Sequence, residues 1–104
     1  YRVWPWTNFD NTFVSYYEDS DFYNEHTDIA VISMMYWLWE EPKSFTGGNL
    51  HLTDYDIEIP IERNQLMIMP SSTRHAVDPI KMINQTDKLS GMGRYCIVRF
   101  LKLK

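Results

Sequence analysis

The sequence has a single cysteine, only 4 glycines and no excess of positive charge among its 104 residues. One cysteine excludes an internal disulfide framework and fits a reducing compartment, so we expect a cytoplasmic protein. Ten basic residues stand against 14 acidic ones, for a net charge of −4. This balance argues against nucleic acid as the main partner, because proteins that bind phosphate backbones usually present a basic face.

Long apolar segments are also missing. The most apolar run, Ile29–Trp39, has about 11 residues and includes Ser33. A helix that crosses a bilayer needs about 20 apolar residues, so this run is too short to span one. No charged-then-apolar leader opens the chain, and we therefore expect neither secretion nor a membrane partner.

What the chain does have is apolar and aromatic residues, at 44% and 15% of the total. That share is sufficient for a folded core, and the length predicts one domain over residues 1–104. Short segments rich in β-branched and aromatic residues alternate with turn signals, and no segment has a convincing amphipathic helical pattern. The pattern predicts an all-β sandwich or barrel with few or no helices.

The expected strands follow from β-forming composition and from Gly, Pro, Asn and Asp between them. Ile29–Trp39 is apolar on both alternating faces, which is typical of a central strand covered on both sides. Tyr1–Asn11 contains Pro5 and is expected to be irregular, and Lys81–Gly93 is expected to be a mobile loop. The predicted strands are Thr12–Tyr17, Phe22–Asp28, Ile29–Trp39, Asn49–Thr53, Tyr55–Glu62 at an edge, Leu66–Pro70, His75–Ile80 and Arg94–Lys102.

A candidate metal site begins at His26-Thr27-Asp28. Side chains two residues apart on an extended segment leave the same face, so His26 and Asp28 can reach one point. A second imidazole, His75, follows the strand Leu66–Pro70. Two imidazoles and one carboxylate, with other coordination positions open, suit non-haem Fe(II).

The last strand carries a second candidate site. Its alternation places Arg94 and Cys96 on one face and Arg99 on the other. If the first face is the inner one, Arg94 is a buried guanidinium, which is unfavourable unless an anion pairs with it. Its planar fork suits a carboxylate. The hydroxyl of Tyr17, on the strand before His26, could add a donor.

The order of these motifs resembles that of the 2-oxoglutarate- and Fe(II)-dependent oxygenases, in particular the prolyl 4-hydroxylase-like group. The resemblance runs from about Phe13 to Phe100. It rests on a tyrosine upstream of a His-x-Asp, a Gly-Gly-x-Leu segment, a distal histidine and an arginine on the final strand. Here these are Tyr17, His26-Thr27-Asp28, Gly47-Gly48-Asn49-Leu50, His75 and Gly93-Arg94-Tyr95-Cys96.

The resemblance implies a double-stranded β-helix, a jelly-roll-like or cupin-type barrel. It also implies that His26, Asp28 and His75 ligate Fe(II), and that Arg94 binds the distal carboxylate of 2-oxoglutarate with Tyr17 in the same pocket. The implied reaction is O2-dependent hydroxylation of a C–H bond in a peptide, a prolyl peptide included, or in a small molecule. Succinate and CO2 would be released, and ascorbate is a candidate additional cofactor.

Two positions depart from the family pattern. Trp37 stands where many relatives have a tyrosine that contacts the cosubstrate, and Cys96 stands where a serine commonly follows the arginine. Whether either residue contacts the cosubstrate is left open by the sequence. Arg99 lies five residues after Arg94, on the opposite face, which separates the chain from the demethylases of alkylated nucleic acids in the same superfamily.

Two other classes of protein are alternatives on this sequence. One is a non-catalytic β-sandwich module that binds a peptide or glycan through exposed tryptophans. The other is a cupin-like metal protein without 2-oxoglutarate, which ranks lower because cupins draw several histidines into one site and His51 has no matching role. The sequence leaves both the substrate and the choice between monomer and dimer open.

Overall fold

The computed structural model describes residues 9–84 and 89–103. Within those ranges it contains ten strands and no helix, so none of the described residues belongs to a helix able to cross a membrane. The strands are β1 Phe9–Tyr17, β2 Tyr23–His26, β3 Ile32–Leu38, β4 Phe45–Gly47, β5 Leu50–Leu52, β6 Ile57–Ile59, β7 Leu66–Pro70, β8 His75–Val77, β9 Ile80–Met82 and β10 Arg94–Lys102.

Two four-stranded antiparallel sheets and a short ribbon make up the fold. The first sheet has the order β1-β10-β3-β7, the second has the order β2-β8-β5-β6, and β4 pairs with β9. Apart from the β5–β6 hairpin, strands that follow one another in the chain lie in different sheets, as in a jelly roll. The predicted all-β, jelly-roll-type fold is confirmed.

The core lies against the inner face of the first sheet. Trp37 on β3 pairs across the sheet with Cys96 on β10, and both side chains are buried. Phe45, Leu50 and Ile80 join them in one apolar cluster. Strand β10 is hydrogen-bonded on both sides, to β1 and to β3, so its inward side chains are held firmly in register.

The prediction that Ile29–Trp39 is a strand covered on both sides is wrong in two respects. The strand is shorter, Ile32–Leu38, and only its inward side chains are consistently buried. Met34, Tyr36 and Leu38 on the outward face are partly exposed, because no second layer covers that face within the part of the chain that the structure describes.

The predicted strand His75–Ile80 is also corrected, because it divides into β8 and β9 at Asp78-Pro79. A proline has no N–H to donate to a ladder, and here it separates the residue that pairs with β5 from the one that pairs with β4. Strand β4 was not predicted. Its partner β9 includes Lys81 and Met82, which were assigned to the loop Lys81–Gly93.

Two smaller differences concern strand ends. Residues 9–11 belong to β1 and not to an irregular segment, while residues 1–8 of the predicted segment lie outside the described residues. Strand β6 is at the edge of its sheet, as expected, but it is limited to Ile57–Ile59. The preceding residues form a turn in which Asp56 has a φ of 51°, a left-handed conformation that ends regular strand geometry.

Candidate metal centre

Strand pairing in the second sheet brings two distant histidines together. His26 is the last residue of β2, His75 is the first of β8, and the two are directly opposite each other across the pair. Their ring centroids are 4.2 Å apart. Antiparallel pairing of β2 with β8 therefore brings together two residues that are 49 positions apart in the chain (75 − 26 = 49).

The carboxylate of Asp28 lies against both imidazoles. Its Oδ1 is 3.3 Å from Nε2 of His26, and its Oδ2 is 3.6 Å from Nε2 of His75. The backbone N–H of Asp28 donates to the carbonyl of Ser71 at 3.0 Å, which fixes the loop after β2. One ligand atom from each of the three residues lies within 4.8 Å of the others, so the group could hold a metal ion.

Hydrogen bonds at Nδ1 indicate which ring nitrogen of each histidine carries a proton. Nδ1 of His26 is 2.7 Å from the carbonyl of Asn24, and Nδ1 of His75 is 2.8 Å from the carbonyl of Thr73. A carbonyl only accepts, so each Nδ1 carries a proton. The two Nε2 atoms face the Asp28 carboxylate, and in the neutral rings they are the atoms that could bind a metal ion.

Two serines that the sequence analysis did not assign to the site support Asp28. Ser33 Oγ donates to Oδ2 of Asp28 at 2.6 Å and lies 2.8 Å from Oγ of Ser71. Both serines are buried. A signal for Ser33 was present in the sequence, because it is the one aliphatic hydroxyl within the otherwise apolar run Ile29–Trp39.

Arg94 is a buried cation beside the site, with a side chain that is 2% exposed. Its Nε has no hydrogen-bond partner, and no carboxylate of the described residues forms an ion pair with it. Burial lowers the pKa of Arg94, yet a guanidinium stays protonated at neutral pH. A buried, unpaired positive charge is unfavourable, so this position fits an anionic ligand.

Aromatic rings hold the guanidinium in place. Its central carbon is 5.0 Å from the Tyr17 ring and 5.9 Å from the Trp37 ring. Burial raises the pKa of Tyr17, against the opposing effect of the Arg94 charge, so its hydroxyl keeps its proton as a donor at neutral pH. Gly48 lies against the same side chain: a Cβ there would be 3.0 Å from Cδ of Arg94.

One cavity of about 400 Å³ connects the two candidate sites, and it is lined by His26, Asp28, His75, Tyr17, Arg94 and Cys96, among others. Trp37 does not line it, so of the two departures from the family pattern only Cys96 faces the cavity. His51 lies on β5 and contacts Asp56 at 3.2 Å. Arg99 pairs with Asp10 on the opposite, exposed face of β10.

The sequence of residues 12–102 matches a family described as the 2OG-Fe(II) oxygenase superfamily. The chain belongs to this superfamily. Membership implies Fe(II) and 2-oxoglutarate as cofactor and cosubstrate, and both suit the donor set described above. No curated protein sequence matches the chain significantly.

Solved structures agree on the fold of this oxygenase-family chain. A prolyl-4-hydroxylase from Pseudomonas putida is similar with a TM-score of 0.68 and 19% identity over 98% of the chain. An RmlC-like cupin protein from Desulfovibrio desulfuricans is similar with a TM-score of 0.54 and 14% identity over 88% of the chain. The matches cover 56% and 71% of those two proteins, so the chain spans little more than half of the prolyl-4-hydroxylase.

Proposed function

We propose that this chain is the catalytic part of an Fe(II)- and 2-oxoglutarate-dependent dioxygenase that hydroxylates a C–H bond of a peptide or a small molecule. The observation that carries the proposal is the content of one cavity. A group of two imidazoles and a carboxylate, whose ligand atoms lie within 4.8 Å of one another, shares that cavity with a buried guanidinium that has no carboxylate partner among the described residues.

In this proposal, Nε2 of His26, Nε2 of His75 and the carboxylate of Asp28 hold the iron. Three protein ligands leave positions open for the cosubstrate and for O2. When bound, Fe(II) would supply O2 activation coupled to decarboxylation of 2-oxoglutarate, with succinate, CO2 and a hydroxylated substrate as products. Ascorbate would serve to keep the iron in its ferrous state.

Arg94 and Tyr17 orient the cosubstrate. The guanidinium pairs with the distal carboxylate of 2-oxoglutarate, and the Tyr17 hydroxyl donates to the same group. Because Arg94 is buried, this ion pair forms in a low-dielectric environment, where it is stronger than a surface pair. Trp37 and Gly48 limit how far the arginine side chain can move.

The proposal is tested by anaerobic titration of Fe(II) and 2-oxoglutarate into the wild-type protein. We expect a weak metal-to-ligand charge-transfer absorption in the visible range that requires both additions. The variant His75→Ala should lose this band and all metal-dependent thermal stabilisation.

The matched control is His51→Ala, which removes a histidine that also contacts an aspartate, at 3.2 Å, but outside the cavity. It should keep the full band. A wild-type protein that shows neither the band nor metal-dependent stabilisation would contradict the proposal and leave a non-catalytic binding module.

A further inference from the structure

The cavity extends well beyond the region that a cosubstrate on Arg94 would occupy. It follows the inner face of β10, where every second side chain from Arg94 to Lys102 lines it. At about 3.3 Å per residue the Cα atoms of these two residues are roughly 26 Å apart. The cavity therefore has a buried arginine at one end and a partly exposed lysine at the other.

The candidate metal ligands lie between these two ends and nearer to the lysine. Asp28 is hydrogen-bonded to Ser33, and Ser33 is directly opposite Phe100 in the β3–β10 pair. Phe100 is two residues from Lys102 but six from Arg94. Along β10, Phe100 is thus level with Asp28, and Lys102 lies beyond it on the side away from Arg94.

The end of the cavity at Lys102, the lysine end, presents an apolar surface with one cation. The rings of Phe13 and Phe100 pack with their centroids 5.7 Å apart. Phe13 is 44% exposed and Ile29, the residue after Asp28, is 94% exposed. The Nζ of Lys102 is 5.8 Å from the centroid of the Phe100 ring. Within residues 9–84 and 89–103, no carboxylate forms an ion pair with Lys102.

We propose that this lysine end, formed by Phe13, Ile29, Phe100 and Lys102, binds the primary substrate, and that the substrate is a small organic acid with an apolar body. That the bound molecule is hydroxylated rests on the proposed function. The apolar body packs on Phe13 and Phe100, and the carboxylate pairs with Lys102. This pose holds the intervening carbon atoms next to the metal ligands.

Charge and volume favour this class of substrate over others. A phosphate dianion is usually held by several donors, whereas a single ammonium matches a singly charged carboxylate. A cavity of about 400 Å³ is near the lower end of the range for ligand sites, and here the cosubstrate occupies part of it. The remaining space suits a small molecule better than a folded or branched peptide.

The experiment compares hexanoate with hexanamide, which has the same apolar body but no charge. Each probe is titrated into the full chain in the presence of saturating 2-oxoglutarate and Zn(II), a diamagnetic ion, and NMR signals of the phenylalanine rings and of Ile29 are followed. We expect hexanoate to bind about fivefold more tightly than hexanamide, as a partly exposed ion pair allows. The shifted signals should include Ile29 and Phe100.

Three variants isolate the lysine. Lys102→Met should remove the preference for hexanoate, and Lys102→Arg should retain it. Lys81→Met, which changes an exposed lysine on β9 outside the cavity, should behave as the wild type. Equal affinity for the two probes in the wild type, or hexanoate binding that leaves the signals of Ile29 and Phe100 unshifted, would overturn the proposal.

The outcome is separable from that of the proposed function. If 2-oxoglutarate and Zn(II) fail to bind while hexanoate still shifts Ile29 and Phe100 in a manner dependent on Lys102, the oxygenase assignment fails and the organic-acid site stands. If both cofactors bind but hexanoate shows no preference over hexanamide, the organic-acid site fails and the oxygenase assignment stands.

Discussion

Ser33 Oγ donates a hydrogen bond of 2.6 Å to Oδ2 of Asp28. Ser33 belongs to β3 in the first sheet, and Asp28 follows β2 of the second sheet, so this bond connects the two sheets at the candidate metal centre. It occupies one lone pair of a carboxylate oxygen and orients the other lone pairs toward the two imidazoles. Ser33 is thus a positioning residue for the proposed metal ligand.

The first prediction concerns this serine. We expect Ser33→Ala to lower metal affinity by about 10- to 100-fold, as loss of a hydrogen bond to a metal ligand does in other sites. The affinity is measured by anaerobic Fe(II) titration and by competition with Mn(II). The control is Ser44→Ala, which removes a hydroxyl that lies outside the cavity and donates to the carbonyl of Pro42. Unchanged affinity in Ser33→Ala would mean that Asp28 is held well enough by its backbone.

The second prediction separates stability from cosubstrate binding at Arg94. Because the buried guanidinium lacks an anionic partner, Arg94→Met should raise the free energy of unfolding of the cosubstrate-free protein by about 1 kcal/mol. The same variant should weaken 2-oxoglutarate binding by about 100-fold or more. Arg99→Met, on the exposed face of β10, should change neither quantity appreciably. Thermal unfolding with and without 2-oxoglutarate measures both effects, and a loss of stability in Arg94→Met would refute the unpaired-charge argument.

The third prediction uses two glycines with similar backbone conformations. Gly48 has a φ of +74° and Gly91 a φ of +83°, so an alanine at either position is strained by about 1 kcal/mol. Of the two, only at Gly48 would the new Cβ press on Arg94 and clash with Cδ1 of Ile80. Gly48→Ala should therefore weaken 2-oxoglutarate binding beyond its effect on stability, whereas Gly91→Ala should affect stability alone. Equal cosubstrate affinities for the two variants would contradict this account.

The fourth prediction is a dependence on pH. Burial raises the pKa of the Cys96 thiol, so the folded protein keeps a proton that the unfolded chain loses above about pH 8.5. This contribution to stability is complete below the pKa of the thiol in the unfolded chain. It is lost as the pH rises through the pKa of the thiol in the folded protein. Denaturant unfolding at pH 7 and 9.5 should show a larger loss for the wild type than for Cys96→Ala. An equal loss in both proteins would exclude Cys96 as the cause.

Local pattern was enough to predict much of the scaffold. The bounds of β7 and β10 agree with the strands expected from composition, at Leu66–Pro70 and Arg94–Lys102. The alternation along β10 placed Arg94 inward and Arg99 outward, and their burial agrees. Short-range rules succeed here because the direction of a side chain on a strand depends only on its position relative to its neighbours.

The amino-acid sequence by itself determined an all-β chain of short strands, the inward face of the last strand and the identity of the candidate ligands. Only the tertiary structure decided that His26 lies opposite His75, that Ser33 supports Asp28, and that Lys102 lines the cavity at the end opposite Arg94. The physical reason is that these relationships depend on the register between strands that are far apart in the chain. Burial and backbone pairing across the whole domain select that register, and the residues near each position do not encode it.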